Sequence, residues 1–257
     1  MSRRAPPVIG FNRRVDLEWL GYTVRLFTSG HDESKIHEEL SEYLSSKLSI
    51  SSSAKRGSRE KTITLLLKTW VRVRPEIEPL RDDGLELLEC LPKTQHLAVH
   101  WGMTMAAYPF WGEVAAVTGR LLRLQGTAAA IQIQRRVREI YGEKETAYRS
   151  ARYVVSAFHQ WGALKEEARN GVYVAPTPMH LTDSRLIGWL LEAYLLSRRE
   201  DRATPKSILD SPAFFPFDLQ SGGGLAAAGN PRLVVDRHGL DEDLVSLTQR
   251  NVARKFS

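Results

Sequence analysis

The sequence predicts a mainly α-helical fold, a helical bundle with an embedded winged helix-turn-helix-like unit and a small β-hairpin. Two observations carry this. Apolar residues recur at helical spacing through most of residues 14–124. Two more helices then follow within 127–161, and they run into the pair Asn170-Gly171, a strong turn signal between two short β-prone runs. A composition of 42% hydrophobic and 26% charged residues agrees with an ordinary globular chain rather than a disordered or fibrous one.

The elements follow in order. Residues 1–12 read as a tail. Between Arg14 and Phe27, Val15, Leu17, Leu20, Val24 and Phe27 predict a helix stopped by Gly30. Asp32 is placed to cap a second helix, whose stripe is Ile36, Leu40, Tyr43, Leu44 and Leu48. Ser49–Ser58 is a polar connector. A third helix, about 59–73, ends at Pro75 and Pro79. Helices of about 80–91, 93–107 and 110–124 come next, separated by Pro92 and Pro109 and closed by Gly126. The nearly continuous apolar run Leu97–Phe110 predicts the central helix of the bundle. Beyond the hairpin, Thr182 or Asp183 caps a helix ending near Arg199. The remainder is expected to be irregular: Ser211–Phe217 extended, Ser221–Gly224 flexible, Arg232–Asp236 a short strand and Leu240–Arg250 a final helix. The expected division is a tail (1–12), an N-terminal helical domain (13–125), the winged-helix-like unit with its following helix (126–200) and an irregular C-terminal segment (201–257).

No run approaches the ~18 apolar residues a membrane span needs, and the N-terminus lacks the apolar stretch of a secretory signal. Cys90 is the only cysteine of the 257 residues, which excludes an intramolecular disulfide framework and any multi-cysteine zinc site. The expected location is the cytoplasm. A net charge of +6 and a pI near 9.5 suggest a polyanionic partner. Placement says more than the total: between Arg123 and Arg169 nine Lys/Arg face five Glu.

Within that stretch Ala130, Ile133, Val137 and Ile140 form the buried stripe of one helix, leaving Arg135, Arg136, Arg138 and Glu139 mostly outside it. Gly142 breaks the chain before a polar turn that includes Lys144. In the next helix Ala147, Ala151, Val154, Val155, Phe158 and Trp161 face inward. Arg149, Arg152, Ser156 and either His159 or Gln160 face outward, with Tyr148 and Tyr153 at the edge. A recognition helix needs such a division, one face fixed to a scaffold and the other reaching base edges and phosphates. Gly162 ends the helix. Ala163-Leu164-Lys165 is then expected to pair with Val172-Tyr173-Val174 across a tight Arg169-Asn170-Gly171 tip, with Lys165 and Arg169 supplying charge from the wing. The plainer reading of the same pattern is a solvated amphipathic helix, and winged helices also pair with proteins.

Other candidates are weaker. His96 and His100 stand at i, i+4, a spacing that permits a shared metal, but no glutamate completes a zinc-peptidase pattern and packing is the preferred role. His37-Glu38-Glu39 lacks a second histidine. Gly222-Gly223-Gly224 has no Lys-Ser/Thr to hold a phosphate and reads as a linker. Cys90 is expected to be buried and inert. The Ser51–Ser58 cluster, with Lys55, Arg56 and Arg59, offers a phosphate-contacting loop, though a mobile loop is the plainer reading. No nucleophile–base arrangement stands out, so neither catalytic residues nor a cofactor or metal are expected, and the chain reads as a non-enzyme.

The order of features resembles the BrxA-like proteins of bacteriophage exclusion (BREX) defence systems. The resemblance covers most of residues 11–220. It rests on the striped segment Phe11 to Leu48, the block Thr94-Gln95-His96-Leu97 through Tyr108-Pro109-Phe110-Trp111, and Tyr141-Gly142 to Trp161-Gly162-Ala163-Leu164, with Ser211–Leu219 less closely. It implies a partly NusB-like helical protein that binds DNA beside a methyltransferase and an ATPase. It carries over no catalytic residue, and the chain beyond Ser221 fits the family less well.

The function expected from these readings is binding of double-stranded DNA through Arg135, Arg136, Lys144, Arg149, Arg152, Ser156, Lys165 and Arg169. The alternative is a protein-interaction scaffold whose winged-helix unit docks a partner protein rather than DNA, with Phe214, Phe215 and Phe217 as an exposed docking peptide. A metal enzyme built on His96 and His100 ranks last.

Overall fold

The computed structural model describes residues 9–48, 57–142, 144–167, 171–198, 202–219, 223–238 and 242–248. The fold is mainly α, with eleven α-helices and eight short strands in three small sheets among those residues. The helices α1 (Leu17–Thr28), α2 (Glu33–Tyr43), α3 (Ser58–Trp70), α4 (Glu78–Cys90), α5 (His96–Ala107) and α6 (Pro109–Gln125) follow the predicted order. Asp32 caps α2 by accepting a hydrogen bond from the Lys35 amide at 2.8 Å. As its apolar run requires, α5 is buried from Ala98 to Ala106 and lies at the centre of the core. It packs against α9 (Ser184–Ser197), which Asp183 caps through the Leu186 amide. No helix of the described residues is long and apolar enough to cross a membrane.

The next elements are β1 (Ala128–Ala129), α7 (Ala130–Tyr141), α8 (Glu145–Gln160), β2 (Lys165–Glu166) and β3 (Val172–Val174). The sheet order is β1-β3-β2, antiparallel throughout. The hairpin forms where expected, but Lys165 and Glu166, rather than Ala163 to Lys165, make its first strand. Lys165 faces Val174 and Glu166 faces Tyr173, and the Glu167 amide donates to the Val172 carbonyl, so the tip is wider than a two-residue Asn-Gly turn. One cause is visible at Gly171, whose amide donates to the Glu166 carboxylate at 2.7 Å while its carbonyl accepts from the Ala130 amide. Those bonds hold Gly171 at the base of the wing. Asn170 and Arg169 lie outside the described residues. The stripe of α7 also ends differently, for Ile140 is 45% exposed and Tyr141 takes the buried place against Phe110.

Several expectations at the chain's ends are corrected. Phe11 does not belong to a free tail: it is buried and meets Tyr108 and Trp111 edge-on. Phe214, Phe215 and Phe217 are not exposed either. A 3-10 turn (Pro212–Phe214) and the strand β6 (Phe217–Asp218) fold them onto α5 and α6, where Phe215 and Phe217 pack edge-on against Trp101. β6 pairs in parallel with β4 (Met179–His180). Gly223 and Gly224 open a short helix, α11 (Gly223–Ala228), rather than a linker. The final helix expected over 240–250 is instead β8 (Glu242–Leu247), antiparallel to β7 (Leu233–His238) and to β5 (Arg202–Ala203). From Asp243 to Leu247 the buried positions of β8 are Val245 and Leu247, a period of two that a strand satisfies and a helix does not. α10 (Pro205–Leu209) completes the set. Cys90 is exposed, because the buried face of α4 is Leu80, Gly84 and Leu87 and Cys90 lies off that line.

Buried side chains from Phe11 to Leu247 form one contiguous hydrophobic cluster. A polar clamp ties its C-terminal part down. Glu192 of α9, 1% exposed, accepts two hydrogen bonds from Arg232 at 2.7 and 2.9 Å and one from the Asn230 amide group, and Arg232 also reaches Asp83 of α4. Burial opposes the charge of Arg232, yet the hydrogen bonds and charges of Glu192 and Asp83 outweigh it and raise the guanidinium above the ordinary arginine range.

Candidate nucleic-acid interface

The inner face of α8 is fixed by aromatic packing. Phe158 stacks on Trp101 with centroids 4.9 Å apart, and Trp161, just past the helix, donates its indole N–H to the Val15 carbonyl at 2.9 Å. Ala147, Ala151, Val154 and Val155 fill the rest of that face and are buried. Gly162 then takes a φ of +76°, the left-handed region glycine enters without cost, and turns the chain into the hairpin.

With that face anchored, the opposite one must point outward. Arg149 and Arg152 are exposed there, Ser156 is half-buried between them and the helix end, and both His159 and Gln160 are exposed. Neither Arg149 nor Arg152 forms an ion pair among the described residues. These two cations therefore remain available to an anion. Lys144 precedes the first turn of α8 and is exposed, as is Lys165 on β2. The wing stands on one flank of α8, where the His159 ring lies 5.7 Å from that of Tyr173. Arg138 and Ile131 of α7 occupy the same flank nearer the helix start, beside Glu145 and Tyr148.

Arg135 and Arg136 are placed differently. Arg136 lines the side of α7 that faces α6, and it shares the Glu139 carboxylate with the outward Arg135, at 3.0 and 3.5 Å. Of the eight residues named from the sequence, α8 and its two ends bring together Lys144, Arg149, Arg152, Ser156 and Lys165. Arg135 and Arg136 stand apart, and Arg169 is outside the described residues.

One contributor escaped the sequence reading. The N-terminal segment runs along the other flank of α8, so that the Arg13 guanidinium lies 5.8 Å from the Tyr153 ring centroid. Arg14 reaches Gln160 at 3.2 Å while held by both oxygens of Asp16. Nothing local in the sequence announces this contact, because it joins positions 146 apart. A basic residue close before a helix is its only sequence trace.

The histidine pair has another character. His100 is buried, its ring edge-on to Trp70 at 5.4 Å, and burial lowers its pKa to about 3, with the charge of His96 adding to the effect. His96 instead shares a hydrogen bond with the Leu91 carbonyl at 3.1 Å. Among the described residues no three His, Cys, Asp or Glu side chains are grouped so as to hold a metal ion.

Comparison with known proteins finds no matching family model, curated protein or solved structure. What the site can do must therefore be read from its own groups. It offers guanidinium and ammonium donors along one convex helix, hydroxyl and amide groups between them, and a short strand pair beside it. Such groups suit binding to a polyanion.

Proposed function

We propose that this chain is a non-enzymatic, double-stranded DNA-binding accessory protein that lays α8 in the major groove. The observation that carries the proposal is the pair Arg149 and Arg152, exposed and without acidic partners on a helix whose other face is locked in the core. The order α6–β1–α7–α8–β2–β3 with an antiparallel β1-β3-β2 sheet supports a winged-helix reading of the unit. In this reading Arg149, Arg152 and Ser156 face the groove, Lys144 and Lys165 meet phosphates at either end of α8, and Arg13 adds a cation on the remaining flank. Arg135 and Arg136 contribute to the longer-range field more than to contact. Membership of a bacterial phage-defence system, beside a methyltransferase and an ATPase, belongs to the proposal through the resemblance of the three residue blocks to BrxA-like proteins. Of the competing scaffold reading, the aromatic docking peptide loses its basis, since Phe214, Phe215 and Phe217 are buried, while docking of a partner protein by the winged unit stays the alternative.

Fluorescence anisotropy with a labelled duplex of about three helical turns tests the DNA reading. Affinity is expected to fall at least tenfold between ~50 and ~200 mM salt, because neutralised phosphates release counterions. Arg149→Ala with Arg152→Ala is expected to weaken binding, and Lys144→Ala with Lys165→Ala to flatten the salt slope by roughly 1.8, about 0.9 for each lost phosphate contact. A folded double mutant with unchanged affinity would sink the assignment. Plating phage on cells that lack the chain but keep its genomic neighbours tests the defence setting.

A further inference from the structure

The surface of α6 and α7 turned away from α8 holds an apolar groove. Val117, Leu121 and Leu124 line one wall at i, i+4 and i+7, and Ile140 stands on the other, around an open volume of about 340 Å³. Leu124 is 77% exposed and Ile140 is 45% exposed. These are not stray surface residues, because they join the half-buried Leu121 into a single stripe. From Val117 to Leu124 the stripe is about 10 Å long at ~1.5 Å per residue, the length of two helical turns.

The rim is basic. Arg120 and Arg136 line the groove, and Arg120 forms no ion pair among the described residues. Glu139 is the one acidic lining residue, and Arg135 and Arg136 both draw on its carboxylate. Arg123 stands one turn beyond Arg120 with a guanidinium nitrogen bonded only to the Asp210 carbonyl. Arg120 and Arg136 against Glu139 leave the lining with an excess of one positive charge.

We infer that this groove receives an acidic amphipathic helix from a partner protein. Its leucine-like side chains, spaced i, i+4 and i+7, would lie between Leu121, Leu124 and Ile140, and its flanking carboxylates would meet Arg120 and Arg136. A second copy of this chain fits less well. A two-fold pairing of the same surface would set Arg120 and Arg136 against their own copies, a like-charge juxtaposition. Because α8 lies on the opposite side of α7, the groove stays open while DNA is bound, and the inference does not depend on the DNA reading.

The test uses the full chain and two labelled 18-residue helical peptides with identical leucine stripes, one with glutamates and one with lysines on the outer positions. Saturable binding of the glutamate peptide is expected, with the lysine peptide at least tenfold weaker. Leu124→Asp should weaken the glutamate peptide at least tenfold, and Arg120→Glu should narrow or reverse the preference between the two. Circular dichroism confirms that both exposed-site variants fold. Equal binding of the two peptides, no saturable binding, or indifference to Leu124→Asp overturns the proposal. So does a wild-type dimer in sedimentation that Leu124→Asp converts to monomer, which would make a second copy the occupant.

Discussion

His100 shows how one buried side chain sets a pH response. Its folded pKa of about 3 lies below the ordinary value near 6.5, since the packed environment beside Trp70 disfavours a charged ring. Below pH 6.5 the unfolded chain takes up a proton at this position that the folded chain refuses. Stability is therefore lost as pH falls from about 6.5 towards about 3, by up to ~1.4 kcal/mol per unit, with no contribution above 6.5. Urea unfolding of the wild type and His100→Leu at pH 7 and pH 5 checks this. The variant should lose less stability on acidification, and equal losses would refute the account. At this scale the sequence was informative where a residue's own helix decides its fate. Arg149, Arg152 and the inward row of α8 fall where the spacing put them. It misled where a distant element decides: Phe215 and Phe217 look exposed until Trp101 covers them, as Phe214 does until Tyr194 meets it, and Arg13 looks free until Tyr153 and Trp161 draw its segment in.

Among the elements, α6 depends on one missing side chain. A Cβ at Gly119 would stand 2.0 Å from the Pro212 carbonyl oxygen and 2.9 Å from Cβ of Phe215, both part of the rigid turn that seats the aromatic segment. Backbone cannot yield as a flexible side chain would. Gly119→Ala is therefore expected to cost about 1–3 kcal/mol through overpacking, read as a lowered thermal midpoint. An unchanged midpoint would mean that the turn shifts freely. Helices α1 to α9 were readable because each carries a long stripe against the core. Of the strands, the hairpin and the one expected over 232–236, which is β7, were readable, but β1, β4 and β5 were not, because they have two residues each and owe their conformation to partners far along the chain. β8 was mistaken for a helix for the same reason: its buried Val245 and Leu247 mark a strand only when β7 lies beside them.

For the whole molecule, the Glu192–Arg232–Asp83 clamp joins α9, α4 and the approach to β7. Removing Arg232 leaves a carboxylate that is 1% exposed without its charge partner, a loss of about 3–5 kcal/mol. Arg232→Ala should thus lower the urea midpoint, and adding Glu192→Gln should recover part of the loss. A double mutant no better than the single one would show that the charge of Glu192 is not the cause. Mainly α architecture was legible from composition and periodicity, whereas the closure of the C-terminal strands over α9 was not, since it rests on a salt bridge between residues 40 positions apart.

The middle position of β3 has a thermodynamic consequence for any ligand of α8. Its backbone is bonded to β2 on one side and β1 on the other, and Gly171 is tied to the first residue of α7. The base of the wing cannot swing without breaking both ladders. On the proposed function, a duplex that met α8 would encounter a preset angle between helix and hairpin, and little of its binding free energy would be lost to ordering the backbone of these strands.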